Sequence, residues 1–356
     1  MKSLSRLLPC LLALASLGCP GSLKSANYVG FLRIPCAANA DTIVSVPFRD
    51  APSYEGILSA PPSVDGETAS LAVGDTPSWE KDEFVRTPSF VRFLSGSRTG
   101  SHYRILNNSS ENVSIQIGTD TLTSVSAGDL FEIVSYWTLN SLFPPGSQTT
   151  IHESASVFAS TRKTEVLLFD LNTNGIELAP NQVFFLTNGT WHRADEGFPE
   201  AGDTVIPPGA ALIIRHPDTV TSTSFVVSQF VDQNPLSTTL RTRTDGGIDH
   251  TIAVSQPIAI QLQNLQLSGA GVFEESSSTS AGDRSDELLV YENALAIVNQ
   301  KPSATYFRSG GAWLEDTGAS FPNADDETIP PGVGIVIRKA ATVDGAYHFW
   351  VNTPTY

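Results

Sequence analysis

The sharpest local motif in the sequence is a run of oxygen-bearing side chains interrupted by a glycine. It reads Asp170-Leu171-Asn172-Thr173-Asn174-Gly175-Ile176-Glu177. Oxygen ligands at alternate positions before a glycine resemble the first half of a Ca²⁺-binding loop, where glycine lets the chain wrap around the ion. The candidate Ca²⁺ ligands are therefore Asp170, Asn172, Asn174 and Glu177, and no other cofactor is expected. The alternative, which we favour, is a polar turn, since Asn and Gly suit turns for backbone reasons.

A long pattern occurs twice in the chain. Its first copy covers 165–231 and its second covers 287–352, and both contain a Gly-containing pair, a Trp, Phe-Pro, an Asp and Pro-Pro-Gly in the same order. A match of this length indicates a duplicated structural unit. Each copy begins with an apolar run typical of a strand buried on both faces. The Asn-Gly and Gly-Gly pairs predict type I′ hairpins, and Pro-Pro-Gly predicts a further tight turn.

Four side chains at matching places in the two copies are candidate ligand-binding residues. Trp191 and Trp313 could stack on sugar rings if their flat faces were exposed. Asp203 and Asp326 could supply the two carboxylates that glycoside cleavage needs. Core packing of the tryptophans and turn capping by the aspartates are the alternatives, and we favour them. We assign no catalytic residue from the sequence.

The N-terminus predicts export. Lys2 and Arg6 precede a short apolar run over 7–17, which is typical of a secretory signal peptide and too short to span a bilayer. We predict residues 1–19 as this signal. Ordinary signal peptidase is one interpretation of its removal. The other is a lipobox at Ser16-Leu17-Gly18-Cys19, which would place a lipid on Cys19.

The composition limits the expected secondary structure and the classes of binding partner. The formal net charge is −16, and removal of Lys2 and Arg6 with the signal would make it −18. Such acidity argues against nucleic-acid binding, which needs clustered Lys and Arg. No later stretch is long and apolar enough to predict a membrane span. The 27 Gly and 23 Pro residues disfavour long helices and favour short strands separated by turns.

The chain pattern divides into three folded parts. Short strand signals and turns through 27–137 predict a small N-terminal β-barrel or sandwich. Residues 138–232 then hold the first repeat unit, and 233–356 hold the second. The predicted fold is all-β, with two homologous β-sandwich-like units following the N-terminal domain.

Several stretches resemble an uncharacterised family of exported bacterial proteins from Verrucomicrobia-type organisms. They are Asp41-Thr42-Ile43-Val44-Ser45-Val46-Pro47-Phe48, Ala127-Gly128-Asp129, Tyr136-Trp137-Thr138-Leu139 with Leu142-Phe143-Pro144, and Trp350-Val351-Asn352-Thr353-Pro354-Thr355-Tyr356. The resemblance implies export and an all-β fold. The family has no assigned activity, so the resemblance implies no functional residues.

Together these observations predict an exported, non-catalytic protein of the cell envelope or its surroundings, with a structural or ligand-binding role. Polysaccharide or other envelope components are the expected partners. Two alternatives remain open. One is a secreted polysaccharide-active enzyme that uses paired carboxylates. The other is a Ca²⁺-dependent adhesin.

Overall fold

The computed structural model describes residues 28–75, 77–169, 174–177 and 179–356. The predicted all-β fold is confirmed, because short strands dominate and the two α-helices, α1 (Glu83–Arg86) and α2 (Leu139–Leu142), are single turns. Four single-turn 3₁₀ helices complete the helical content of the described residues, at Gly96–Arg98, Ala159–Thr161, Leu262–Asn264 and Ala281–Asp283. In the described part of the chain, no helix has the length and apolarity needed to cross a bilayer.

The first described segment, 28–49, contributes three strands to sheets that are completed much later in the chain. They are β1 (Val29–Cys36), β2 (Ala40–Ser45) and β3 (Phe48–Arg49). All six residues of β2 are buried, which fits a strand enclosed on both faces. In β1 the buried side chains alternate with exposed ones, so only one face of that strand meets the core.

Residues 54–135 form a separate curled sheet, called the barrel below. Its strands are β4 (Tyr54–Ile57), β5 (Ser63–Asp65), β6 (Thr68–Ala72), β7 (Ser89–Phe93), β8 (His102–Asn108), β9 (Asn112–Gln116) and β10 (Leu130–Ser135). Their order in the sheet is β4-β10-β7-β8-β9-β6-β5. A bridge between Leu58 and Val73 joins the chain just after β4 to the chain just after β6, so the sheet curls into a partly closed barrel. Phe93 and Phe131 fill its interior.

The chain then returns to complete the sheets that began with β1–β3. The strands of this segment are β11 (Trp137–Thr138), β12 (Glu165–Leu168), β13 (Gln182–Thr187), β14 (Thr190–Arg193), β15 (Val205–Ile206), β16 (Ala211–His216) and β17 (Thr223–Val231). One five-stranded sheet has the order β14-β13-β12-β16-β2, and β17 lies between β1 and β3 in a second sheet. Residues 28–49 and 137–231 are called unit 1.

Residues 236–352 form unit 2. Its strands are β18 (Leu236–Arg241), β19 (Ile248–Ala253), β20 (Ile260–Gln261), β21 (Glu287–Val290), β22 (Ala304–Ser309), β23 (Ala312–Glu315), β24 (Thr328–Ile329), β25 (Gly334–Lys339) and β26 (Tyr347–Asn352). The five-stranded sheet has the order β19-β25-β21-β22-β23, and β18 pairs with β26. The main-chain path matches that of unit 1, with β18 and β19 in the places of β1 and β2.

Strand pairing groups the chain differently from the boundaries 27–137, 138–232 and 233–356. Because β1 and β2 pair with β17 and β16, residues 28–49 belong with unit 1 and not with the barrel. The barrel is thus an insertion between β3 and β11. Sequence periodicity shows that a segment is a strand, but it does not identify the partner strand, which is why the pattern assigned these residues to the N-terminal domain.

The local turn predictions are confirmed. Asn188 and Gly189 have positive φ between β13 and β14, as the type I′ hairpin requires. Gly310 and Gly311 have the same conformation between β22 and β23. Each Pro-Pro-Gly turn ends in a glycine of positive φ that leads into β16 or β25.

The two units contact each other through two hydrogen bonds placed at corresponding positions. The Ser45 N–H donates to the Gly332 carbonyl, and the Ala253 N–H donates to the Gly209 carbonyl, both at 2.8 Å. Each Pro-Pro-Gly turn therefore bonds the edge strand of the opposite unit. The contact is thus reciprocal, with one bond from each unit to the other.

A pair of loops also crosses between the units. In unit 2, the Ile297 carbonyl accepts a hydrogen bond from the Asp41 N–H at 3.1 Å, so the loop 293–300 covers the free edge of β2. In unit 1, the Gly175 carbonyl accepts from the Asp249 N–H at 2.9 Å and covers the edge of β19. Both edges are thereby closed within the chain, which removes a template for aggregation.

Candidate functional site

Both tryptophans singled out from the sequence lie in hydrophobic cores. Trp191 has no exposed surface and Trp313 is 4% exposed. The Trp191 indole N–H donates to the Phe143 carbonyl at 3.2 Å, which satisfies its one polar group inside the core. A sugar cannot reach either ring, so stacking at these two residues is excluded in this structure, and the core interpretation applies.

Asp203 and Asp326 are exposed turn residues whose contacts lie within their own units. Asp203 Oδ1 accepts a hydrogen bond from Asn140 Nδ2 at 3.3 Å. Asp326 Oδ1 accepts from Gln263 Nε2 at 2.8 Å and from Gln261 Nε2 at 3.3 Å. Because the two carboxylates hold separate turns, the geometry does not bring them together as an acid–base pair, and the turn-capping interpretation fits.

Two of the four predicted Ca²⁺ ligands, Asn174 and Glu177, lie within the described residues. Asp170 and Asn172 lie outside the described residues, as does Cys19. Glu177 donates its N–H to Asp249 Oδ2 at 2.8 Å, and its carboxylate lies 3.6 Å from Arg338. Asn174 precedes the carbonyl of Gly175 that covers β19. Among the described residues, no group of three His, Cys, Asp or Glu side chains is arranged to hold a metal ion.

A different place on the molecule combines exposed rings with convergent polar groups. It is a cleft of about 570 Å³ between the barrel and unit 2, called the aromatic cleft below. The barrel contributes β8 and the turns around residues 98 and 120, and unit 2 contributes β18 and β26. Hydroxyl side chains are frequent along its walls and include Ser101, Thr119, Thr121, Ser237 and Thr239.

Two aromatic side chains of β26 form one wall. Tyr347 is 55% exposed and Phe349 is 40% exposed, whereas His348 and Trp350 point to the other side of the strand. Alternate residues of a strand lie on the same face, about 6.7 Å apart. The rings of Tyr347 and Phe349 therefore present two successive flat apolar surfaces to the cleft.

An ion pair from the barrel forms the opposite wall. Arg98 Nη2 donates to Asp120 Oδ1, and the Tyr103 hydroxyl donates to Asp120 Oδ2, both at 2.5 Å. The Leu122 N–H also donates to Asp120 Oδ1, at 3.1 Å. Burial alone would raise the pKa of Asp120, but these hydrogen bonds and the charge of Arg98 hold that pKa below its ordinary value. Asp120 is therefore an ionised carboxylate whose two oxygens are both occupied.

The Arg98 guanidinium also contacts the aromatic wall. Its central carbon lies 5.5 Å from the centre of the Phe349 ring, which is within the range of a cation–π interaction. Arg98 thus joins the two walls, because it bonds Asp120 on the barrel and lies over a ring of unit 2. Arg98 therefore covers part of the Phe349 ring, and the 40% of Phe349 that stays exposed is the surface open to a ligand.

Three buried polar atoms on the cleft lining have no hydrogen-bond partner among the described residues. They are Arg98 Nε, His102 Nδ1 and Ser237 Oγ. Ser237 is only 5% exposed, so its hydroxyl is well shielded from bulk solvent. Buried polar atoms in native proteins are nearly always paired, and an unpaired group marks a place where water or a ligand completes the bonding. Three such atoms lie just behind the lining of one cleft, where a small ligand group or a water that enters between the side chains would complete their bonding.

His102 at the back of the cleft is neutral at physiological pH. Burial of its ring, and then the charge of Arg92, lower its pKa to about 4. The ring packs against Phe90 in a T-shaped arrangement, with the ring centres 5.7 Å apart. A neutral imidazole can donate or accept at Nδ1 according to its tautomer, so it can bond either end of a hydroxyl group.

Gly100 brings the barrel and unit 2 together at the base of the cleft. Its carbonyl accepts a hydrogen bond from the Ser237 N–H at 3.0 Å. A Cβ atom at position 100 would lie 3.0 Å from the Ser237 nitrogen and 3.1 Å from the Pro235 carbonyl oxygen, and the φ of Gly100 is +84°. Only glycine combines this conformation with this approach, so Gly100 sets the position of Ser237 within the cleft.

A second cavity, of about 730 Å³, lies between the two five-stranded sheets. Its main charged groups are already paired at corresponding places, Arg215 with Asp41 at 2.7 Å and Arg338 with Asp249 at 2.8 Å. These pairs join neighbouring strands within each unit. Since the same aspartates bond the crossing loops, this cavity is part of the contact between units, and the aromatic cleft is the better candidate for a ligand site.

Sequence reasoning missed the residues of the aromatic cleft. The signal available was Tyr347-His348-Phe349-Trp350-Val351, in which aromatic residues occupy both faces of one predicted strand. A strand that packs against the core on one face must expose the other face, and Phe349 lies on the exposed face of β26. Arg98 and Asp120 lie in turns, where no periodic pattern predicts a direction for the side chain.

Comparison of the chain with protein-family models, curated proteins and solved structures finds no match.

Proposed function

We propose that this chain is an exported, non-catalytic carbohydrate-binding protein of the cell envelope or extracellular space. The observation that carries the proposal is the meeting, in the aromatic cleft, of two exposed rings with three buried polar atoms that have no partner among the described residues. Sugar rings offer apolar C–H faces and a rim of hydroxyl groups, so they complement flat aromatic surfaces and convergent hydrogen-bonding atoms. Export rests on the N-terminal sequence, and the homology of units 1 and 2 rests on their matched sequence pattern.

The electrostatics of the cleft support binding without cleavage. Hydrolysis of a glycoside by the usual route requires two carboxyl groups beside the scissile bond, one of them protonated. Among the described residues that line the cleft, Asp120 is the one carboxylate. Its pKa is held low, and both of its oxygens already accept hydrogen bonds. Asp120 therefore positions Arg98 and Tyr103 and is unsuited to act as a general acid.

Calorimetric titration of the chain from residue 28 with a panel of oligosaccharides tests this function. Saturable binding is expected, and Phe349→Ala should weaken it at least tenfold, since the substitution removes a stacking surface and the partner of Arg98. Val351→Ala is the matched control, because Val351 is an exposed residue of the same strand outside the cleft. Absence of heat with every sugar, or equal binding by both variants, would reject the function.

A further inference from the structure

The positive and negative charges on the lining of the aromatic cleft neutralise each other. Arg98 is the one permanent cation among the described lining residues, and it is bonded to Asp120, the one carboxylate. The Tyr103 hydroxyl donates to the same carboxylate, so Asp120 already receives a bond on each oxygen. An acidic ligand would have to compete with Asp120 for Arg98, and a basic ligand would have to compete with Arg98 for Asp120. The lining therefore favours neither sign of charge.

The groups behind the lining do not add a charge either. His102 is the titratable group deepest in the cleft, and it faces Arg92 and the ring of Phe90. The positive charge of Arg92 disfavours a second positive charge on the imidazole. Arg92 bonds Glu132 at 2.6 Å and Asp232 at 2.9 Å, and Arg49 lies 3.3 Å and 3.1 Å from the same two carboxylates, so two cations balance two anions. The cleft thus has a neutral wall at its back.

The polar atoms that remain free are suited to hydroxyl groups. Arg98 Nε is a donor, Ser237 Oγ donates and accepts, and neutral His102 Nδ1 does one or the other. A sugar hydroxyl also donates and accepts, so one type of ligand group satisfies all three. The whole chain has a formal net charge of −16, which adds a long-range repulsion against acidic polymers.

We propose that the aromatic cleft selects an uncharged glycan and binds at least two consecutive sugar rings, one against Phe349 and one against Tyr347. The inference rests on the proposed carbohydrate-binding function and adds the class of glycan to it. Arg98 donates to a ligand hydroxyl through Nε while it remains paired with Asp120. Glycans built from uronic acids are disfavoured, because Arg98, the one permanent cation among the described lining residues, already has Asp120 as its counter-charge.

Calorimetry with matched oligosaccharides tests the selectivity. The neutral probes are hexamers of β-linked glucose and of mannose, with glucose and the corresponding disaccharide as short ligands. The acidic probes are hexamers of galacturonate and of mannuronate. At least one neutral hexamer should bind ten times more tightly than either uronate hexamer. Its disaccharide should bind at least ten times more tightly than its monosaccharide, because two rings offer two stacking positions.

A charge variant provides an independent readout. Asp120→Asn keeps the shape of the side chain but leaves Arg98 without its counter-charge. The ratio of uronate to neutral affinity should rise at least tenfold. Asp65→Asn is the control for total charge, since Asp65 is exposed on β5 outside the cleft, and it should leave the ratio unchanged.

The outcomes separate this inference from the function on which it rests. Uronate binding that is tighter than neutral binding and is lost in Phe349→Ala would overturn the selectivity and leave carbohydrate binding intact. An unchanged affinity ratio in Asp120→Asn would also overturn it. Equal affinity for monosaccharide and disaccharide would overturn the two-ring site. If no oligosaccharide binds at all, both the inference and the proposed function fail.

Discussion

His102 shows how one buried side chain can make the stability of this protein depend on pH. Its pKa of about 4 lies below the value of about 6.5 expected in an unfolded chain. The unfolded state therefore binds a proton between these values while the folded state does not. The contribution of His102 to stability is therefore fully present above about pH 6.5, falls as the pH is lowered toward 4, and levels off below that pH. His216 acts in the same direction, because burial and the charge of His152 lower its pKa to about 4.

We predict that His102→Gln makes the free energy of unfolding less dependent on pH. Between pH 4.5 and 6.5 the wild-type slope should exceed that of the variant by about 1 kcal/mol per pH unit on average, less than the value of about 1.4 for one whole proton, because the unfolded-state histidine is only half protonated at pH 6.5. Urea unfolding curves at pH 4.5, 5.5 and 6.5 measure the slopes. Identical slopes for the two proteins would show that His102 is not held neutral by the fold.

The sequence pattern indicates two tryptophans as candidate ligand-binding aromatics, whereas the fold exposes Tyr347 and Phe349 instead. Trp191 and Trp313 are large and apolar, and their matched positions equally suit two cores. Whether a ring faces solvent depends on what packs over it, and that is a tertiary property. Phe349 is exposed because β26 is covered on one face only, which its residue type does not reveal.

The Pro-Pro-Gly turns connect the two units, together with the crossing loops described above. The Gly332 carbonyl accepts a hydrogen bond from the Ser45 N–H. Gly332 also lies directly beside the side chains of Leu32 and Ile34 in β1. A Cβ atom at position 332 would lie 2.1 Å from Leu32 Cδ2 and 2.9 Å from Ile34 Cδ1, while φ is +73°. Gly310 has a similar φ of +62°, but a Cβ there would meet no atom of the described residues within 4 Å.

We predict that Gly332→Ala destabilises the protein more than Gly310→Ala does. Both substitutions strain the backbone, so their difference isolates the packing of the turn against β1. That difference should be about 1–3 kcal/mol, as for other overpacked sites. Thermal and urea unfolding of the two variants measure it. Equal losses of stability would mean that β1 moves aside freely and that the turn does not hold the units together.

Elements themselves could be predicted well where their determinants are local. The hairpin at Asn188-Gly189 and the buried strand at Glu165–Leu168 follow from turn chemistry and from apolar runs, and both are present. The pairing of β1 with β17 could not be predicted, because an alternating pattern in β1 suits any neighbour. The insertion of the barrel remained hidden for the same reason.

For the molecule as a whole, a buried ion cluster fastens the barrel to the two units. Arg92 of β7 bonds Glu132 of β10 at 2.6 Å and Asp232 of the segment between the units at 2.9 Å. Arg49 of β3 adds contacts to Asp232 at 3.1 Å and to Glu132 at 3.3 Å. Tyr356 donates its hydroxyl to the Asp232 carbonyl. Removal of one partner would leave charge buried without compensation.

We predict that Arg92→Met lowers the free energy of unfolding by about 3–5 kcal/mol, since Glu132 and Asp232 would lose their main counter-charge. Arg86→Met is the control, because Arg86 forms an exposed ion pair with Glu80, and it should change stability by less than about 0.5 kcal/mol. Urea unfolding followed by tryptophan fluorescence compares the two. A small effect of Arg92→Met would show that Arg49 alone can neutralise both carboxylates.

The interruption of unit 1 by the barrel has a consequence for the order of assembly. During synthesis on the ribosome, β1 and β2 emerge first, and their partners β17 and β16 emerge only after the whole barrel. The barrel contains all the strands of its own sheet and can acquire structure in the interval. Pairings so distant along the chain are slow to form. Closure of unit 1 is therefore a late folding event, and β1 stays open to wrong partners until it occurs.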